Sequence, residues 1–273
     1  NNGVNQSGTQ YVAWCWRAGL STNTSYAGTI STCTDGTITT GISTNISAGF
    51  SVVNYTGNNT ASATIGHGLQ KPAAFAIIKN RQGSNNWACY HQRLVDRQAF
   101  QADVISGPSL KYTINIGSIT GTVERPGLVL LNSTNAAASY TMDATTNAVA
   151  NYIAYVWSEI EGYSKFGEYM GNGNADGPMV YLGFKPALLI IKNATATGSW
   201  CMLDSSRNAQ NPTDSLLVGE ATTAETASAA GNQVDFLSNG FKIRNTGSNF
   251  NTLTNRYVFA AWAETPYSYA NAK

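Results

Sequence analysis

The 273-residue sequence contains two histidines, His67 and His91, and neither has a partner at metal-ligand spacing such as H-x-x-x-H. His91, Asp96 and one of many serines are the residue types of a nucleophilic triad. No nucleophile elbow or other local signature accompanies them, so both histidines read as turn and strand-end residues. Glu159 and Glu161 alternate, which on a strand would put two carboxylates on one face, about 6.5 Å apart at Cα. A carboxylate pair is the equipment of glycoside hydrolysis, but nothing nearby separates an acid role from a base role, and the pair reads as a solvated strand exit. The string Asn172–Gly173–Asn174–Ala175–Asp176–Gly177 follows the opening of a calcium loop except that Asn stands first. Position 12 of that loop is Gly183 rather than Glu, and one carboxylate is too little charge for tight calcium, so a turn is expected. The cysteines, Cys15, Cys33, Cys89 and Cys201, show no C-x-x-C spacing. Cys15 and Cys89 lie in aromatic, strand-like runs and read as small buried hydrophobes, while a Cys15–Cys33 disulfide stays open because a sequence carries no geometry. The expectation is a chain with no cofactor, no metal and no enzymatic activity.

Those residues must be held by something, and the composition says what. Charged residues are 11% of the chain and the net charge is +1, which leaves no basic patch to displace counterions from a nucleic acid. No apolar run approaches the roughly 20 residues that cross a bilayer as a helix, so membrane insertion is not expected. The polar fraction is Asn, Thr, Ser and Gly, which suits strands joined by many turns. With 14 Tyr, 9 Phe and 6 Trp the chain has the means to build a core.

An internal repeat organises it. Gly49–Phe50–Ser51 and Tyr55–Thr56–Gly57–Asn58 return as Gly162–Tyr163–Ser164 and Tyr169–Met170–Gly171–Asn172. KPAAFAIIKN (71–80) returns as KPALLIIKN (185–193), and Trp87 returns as Trp200, all at an offset of 113 or 114 residues. Each unit closes on Tyr and Trp five apart, in YIAYVW (152–157) and YVFAAW (257–262); a third copy, YVAWCW (11–16), precedes the first unit. All three are apolar on both faces, as central strands covered on each side are. Residues 1–20 therefore read as the closing strand of a preceding unit, or as a strand that completes the first unit from its N-terminal side. Asp235–Arg244 reads as a hairpin around Ser238–Asn239–Gly240, Gly127–Leu131 as a strand and Arg93–Phe100 as a short helix, with the tract from Leu20 to Ser47 extended and partly paired. Trp87 and Trp200, in register, are expected in the core.

The strings AGFSVVNYTGN, AIIKNR, SNNWACYH, EGYSKFGEYMGNG, VDFLSNGFKIR and YVFAAWAETPY, in this order, resemble the repeat-containing tail-fibre-like and virion-associated proteins of marine bacteriophages and cyanophages. The resemblance runs from about Tyr11 to Tyr267. It implies a place, the virion surface, and a structural role; it brings no catalytic residues.

The reading is an all-β chain of two tandem β-sandwich, jelly-roll-like domains, 49–157 and 158–273, preceded by a strand and connector over 1–48. The expected function is a tail-fibre module that presents loops for host recognition. The expected partners are copies of itself, as a homotrimer, other virion proteins, and a host surface polysaccharide or protein receptor. A capsid-decorating or vertex protein, a bacterial surface adhesin or filament subunit, and a glycan-cleaving spike are the alternatives. Loop tips on a rigid scaffold carry binding, and the candidates there are Arg81, Asn85, Arg93, Asp96, Arg97, Arg207 and Asn208.

Overall fold

The computed structural model describes residues 7–19, 30–60, 63–84, 87–95, 113–115, 126–130, 146–220, 223–226 and 230–265. Strand makes up 45% of the structure and helix 1%, so the chain is all-β. The first half holds β1 (Ser31–Cys33), β2 (Thr40–Asn45), β3 (Phe50–Thr56), β4 (Thr64–Gly66), β5 (Phe75–Asn80), β6 (Ala88–Val95), β7 (Thr113–Asn115), β8 (Pro126–Leu130) and β9 (Asn151–Trp157). The second holds β10 (Ser164–Met170), β11 (Met179–Tyr181), β12 (Pro186–Asn193), β13 (Trp200–Asp204), β14 (Leu217–Val218), β15 (Val234–Leu237), β16 (Gly240–Ile243) and β17 (Arg256–Ala263). Two large antiparallel sheets result, one ordered β1-β2-β3-β9-β5-β6-β8 and the other β10-β17-β12-β13-β14. A three-stranded sheet, β11-β16-β15, and a pair, β4-β7, complete the described ladders.

The repeated strings occupy matching places. The closing strand β9 lies between β3 and β5, and β17 lies between β10 and β12. Register matches as well: Tyr55 pairs with Tyr152 and Asn80 with Tyr152 in one sheet, Tyr169 with Tyr257 and Asn193 with Tyr257 in the other. The paired tyrosines stack, with ring centroids 5.0 Å apart in the first half and 5.1 Å in the second. The Tyr-x-Gly-Asn string now has a cause. Its Tyr hydroxyl donates to a loop carbonyl, Thr146 O at 2.7 Å or Phe250 O at 2.8 Å. Its Gly runs so close to the same loop that a Cβ would collide with the carbonyl oxygen of Ala148 at Gly57, or of Thr252 at Gly171. Its Asn is clasped by a loop Asn: Asn58 N–H donates to Asn147 Oδ1 at 3.0 Å, and Asn172 N–H to Asn251 Oδ1 at 2.8 Å.

Strand period 2 sends alternate side chains to opposite faces, and so divides each closing strand between two cores. Tyr152, Ala154 and Val156 enter a core belonging to the first half, with Ile65, Ile78 and Leu69; Tyr257, Phe259 and Ala261 enter one belonging to the second, with Phe236, Phe241 and Phe250. The other faces meet. Phe50, Phe75 and Trp157 from the first half and Phe166, Trp200 and Trp262 from the second form one aromatic cluster between the large sheets. Trp157 and Trp262 lie 5.6 Å apart, Phe75 and Phe166 5.9 Å. Two hydrogen bonds from β6 tie the halves further: His91 Nε2 donates to Phe259 O at 2.9 Å and Gln92 Nε2 to Phe166 O at 2.6 Å.

Several local expectations are corrected. Tyr11–Trp16 belongs to none of the described sheets; its residues alternate between exposed and half-buried, with Trp14 and Trp16 against the shared aromatic core. Cys15 is consequently exposed, and all four cysteines are free thiols, so Cys15 and Cys33 are not bonded. Arg93–Val95, expected to open a short helix, is the end of strand β6, where Val95 pairs with Pro126 of β8; the rest of that expected helix, 96–100, lies outside the described residues. Trp200 is 2% exposed, but Trp87 is 37% exposed, with the Lys79 ammonium 6.0 Å above its ring. The hairpin is as expected, with Leu237 opposite Gly240 around Ser238–Asn239, and so is the partial pairing of the early tract in β1 and β2.

Candidate functional site

Three surface grooves are built from described residues. The first, of about 440 Å³, lies across β1, β2, β3 and β9 and is lined by Thr32, Thr39, Thr40, Asn54, Thr56, Asn151 and Arg81, with Tyr55 and Tyr152 also on its wall. Thr32, Asn54, Thr56 and Asn151 are exposed and put hydroxyls and amides side by side, whereas Thr40 is buried and donates to Gly66 O at 3.0 Å. Gly41 matters here: a Cβ at that position would run into the Asn54 amide, so the glycine lets Asn54 lie flat over β2. Thr56 Oγ1 donates to Asn151 Oδ1 at 3.0 Å, and Arg81 N–H donates to Asn151 O at 2.8 Å, which fixes the turn after β5 at the groove's rim. Arg81 is exposed and has no ion-pair partner among the described residues.

The second groove, also about 440 Å³, lies at the join of the halves and holds Glu159, Glu161, Lys71, Lys165, Ser164 and Tyr181. The two glutamates stand in the turn between β9 and β10, just past the end of β9, which is the strand exit expected of them. Glu159 Oε2 accepts the Phe166 N–H at 3.3 Å, and Lys165 lies 5.5 Å above the Tyr181 ring. The third groove, about 330 Å³, includes Asp176, Asp235 and Arg244. Asn172 and Asn174 close the calcium-like string as a turn, each accepting a backbone N–H two residues on at 2.9 Å. The Asp176 carboxylate faces Lys242 at 2.6 Å, and that hydrogen bond and charge hold its pKa below the usual range. Among the described residues, no three His, Cys, Asp or Glu side chains gather as a metal-ligand set.

The loop-tip candidates scatter. Arg81 lines the first groove. Arg93 sits on β6, where its carbonyl accepts from Arg256 Nη1 at 2.7 Å. Arg207 turns inward: its guanidinium binds Asp204 at 2.6 Å, Glu225 at 2.7 Å and the Met202 carbonyl at 3.1 Å. Asn208 accepts the Ser215 N–H at 2.8 Å and so shapes the same loop. Asn85, Asp96 and Arg97 lie outside the described residues. Thr32, Thr39, Asn54, Thr56 and Asn151 were not singled out from the sequence, although Asn54 and Thr56 stand two apart on a strand, the spacing of one exposed face.

Both histidines are structural. His91 stands within β6, not at a strand end, and accepts the Arg93 N–H at Nδ1, 3.1 Å away. That acceptor role puts the ring proton on Nε2, which donates across to Phe259 O. His67 Nδ1 accepts the Leu69 N–H at 3.3 Å. Burial pushes both rings down to a pKa of about 4, which keeps them neutral at physiological pH.

A model of one protein family, described as Domain of unknown function (DUF7483), matches residues 1–266. The chain belongs to the DUF7483 family. No curated protein matches this DUF7483 chain, and no solved structure does.

Proposed function

We propose that this chain is a structural module of a bacteriophage virion surface, a tail-fibre segment that holds a polar groove and its loops against the host envelope. The observation that carries the reading is the first groove. Threonine hydroxyls, two asparagine amides and one exposed guanidinium on a rigid sheet are the donors and acceptors that match the hydroxyls of a saccharide, and the guanidinium suits an acidic one. The shared aromatic core supports the same role, because it holds the strands under that groove in one unit. In this reading the module performs no bond chemistry, assembles as a homotrimer with other virion proteins, and meets a host polysaccharide or protein receptor through groove and loops. The test has two arms. Antibodies to the chain should label intact particles at their fibres, and Arg81→Ala should weaken binding of the purified chain to host envelopes. Unlabelled particles would remove the virion reading; labelled particles with unchanged binding would remove the groove.

A glycan-cleaving spike is the second reading, favoured by one observation: Glu159 and Glu161 line the same groove with Lys71 and Lys165. Saturable polysaccharide cleavage lost in Glu161→Gln would establish it in place of pure binding.

A further inference from the structure

Three copies of the closing string exist, and the structure brings their tryptophans together. Trp16 lies 5.3 Å from Trp157 and 5.1 Å from Trp262, and those two lie 5.6 Å apart, all three pairs edge to face. Equivalent residues of three repeats thus form a triangle at the centre of the shared core. The faces agree too. In β9, Tyr155 and Trp157 point to the shared core, while Tyr152, Ala154 and Val156 point to the first unit's own core. In the third copy the equivalents of the first set, Trp14 and Trp16, again point to the shared core. The equivalents of the second set, Tyr11, Ala13 and Cys15, are exposed, Tyr11 by 49%. The segment carries both faces of a closing strand, and on the second of them Ala13 and Cys15 lie exposed. It is held in place by its tryptophans and by Asn45, whose Nδ2 donates to Arg17 O at 3.2 Å.

We infer that the exposed face of residues 11–17 is the inner face of a third unit of the same repeat, which packs around the tryptophan triangle beside the other two. The occupant is a unit without a closing strand of its own. A second copy of this chain does not meet that requirement, since both of its units already contain theirs in β9 and β17. In each unit the strands that flank the closing strand come earlier in the chain, β3 and β5 before β9, β10 and β12 before β17. By the same order, the flanking strands for residues 11–16 are encoded ahead of Tyr11. This inference stands apart from the function proposed above, since it concerns only how repeats of this type assemble.

Cys15 reports on it, because Cys33, Cys89 and Cys201 are buried. In the 273-residue chain a maleimide should label Cys15 rapidly. In a natural polypeptide that carries residues ahead of Asn1, labelling should slow by about tenfold or more, as protection by a folded unit requires, and a natural polypeptide with no such unit ahead of Asn1 would overturn the inference. Ala13→Asp gives a second readout: no change in the melting temperature of the 273-residue chain, and a fall of about 5 °C or more in the longer one, where the carboxylate would enter a core. Equal labelling in both polypeptides, an Ala13→Asp variant neutral in both, or preceding residues without the repeat's strings would each overturn the inference. Protection of Cys15 that grows with the concentration of the 273-residue chain would overturn it in favour of a second copy.

Discussion

The two halves are close copies in their ladders and unlike in what covers those ladders. Lys79 and Lys192 occupy the same place, one residue before the Asn that bonds the closing-strand tyrosine. Lys79 is half-exposed above Trp87. Lys192 is 1% exposed, donates to Gly198 O at 2.7 Å, and has its pKa lowered by burial, with Glu220 opposing the shift. Position 91 carries His and its counterpart 204 carries Asp. Both accept a backbone N–H two residues on, but His91 reaches across to β17 while Asp204 binds Arg207 within its own loop. Residues that pair along the ladder are constrained by the repeat, and residues that meet a neighbour are constrained by which neighbour that is.

The strongest challenge to this likeness is truncation at the shared core. Trp157→Ala and Trp262→Ala should each cost about 3–5 kcal/mol and should lower one common unfolding transition in urea, since both tryptophans fill the same cluster. Two transitions, each shifted by only one of the variants, would mean that the halves unfold separately. Trp200→Ala should approach the same loss, whereas Trp87→Ala should cost no more than about 1 kcal/mol, because its ring is a third exposed and holds a surface cation.

Acid should separate the halves by another route. Both histidines belong to the first half, and each titrates at about 4 in the folded chain against an ordinary value of 6.5. The unfolded chain binds more protons between those values, so their contribution is complete above about pH 6.5 and is lost as the pH falls to about 4. The loss is up to about 3 kcal/mol for each ring, and denaturation curves at pH 7, 5.5 and 4.5 measure it. His67→Gln and His91→Gln should each flatten that slope by roughly half, and an unchanged slope would show that the rings are not kept neutral by burial.

The smallest expected effect is also the most direct test of equivalence. Asn80 accepts the N–H groups of Gln82 and Gly83, and Asn193 those of Thr195 and Ala196, at 2.9–3.1 Å. Asn80→Ala and Asn193→Ala should each cost about 1–2 kcal/mol, and the two losses should agree within error. Unequal losses would show that the matched geometry hides different surroundings.

What the residues disclosed in advance follows the same division. The closing strings, the Lys-Pro strands and the Ser-Asn-Gly hairpin announce themselves by period, β-branching and turn chemistry, all local properties. Trp87 and Trp200 hold the same place in the repeat, and only the surroundings expose the first and bury the second. Tyr11–Trp16 has a strand's composition but stands outside the described sheets. Glu159 and Glu161 alternate as strand residues do, yet Gly162, at φ 73°, belongs to a turn. The first groove was legible only in part, because Arg81 marks a loop by its position after a strand. Thr32, Asn54 and Asn151 come together only when β1, β3 and β9 are placed in one sheet, and no local pattern states that order.

The clasp between Tyr-x-Gly-Asn and its loop asparagine has an evolutionary consequence. It closes each unit with a handful of side chains, and neither β6 and β8 nor β13 and β14 takes part in it. A duplicated gene under such a rule has one sector that drifts slowly and another that drifts freely. Substitutions at Trp157 or Trp262 must be answered in the sister copy, whereas the loop between β13 and β14 is closed by bonds of its own, Arg207 to Asp204 and Asn211 to the Phe236 backbone, that do not reach the clasp. Lineages of this family should therefore vary more in that loop than in the latch.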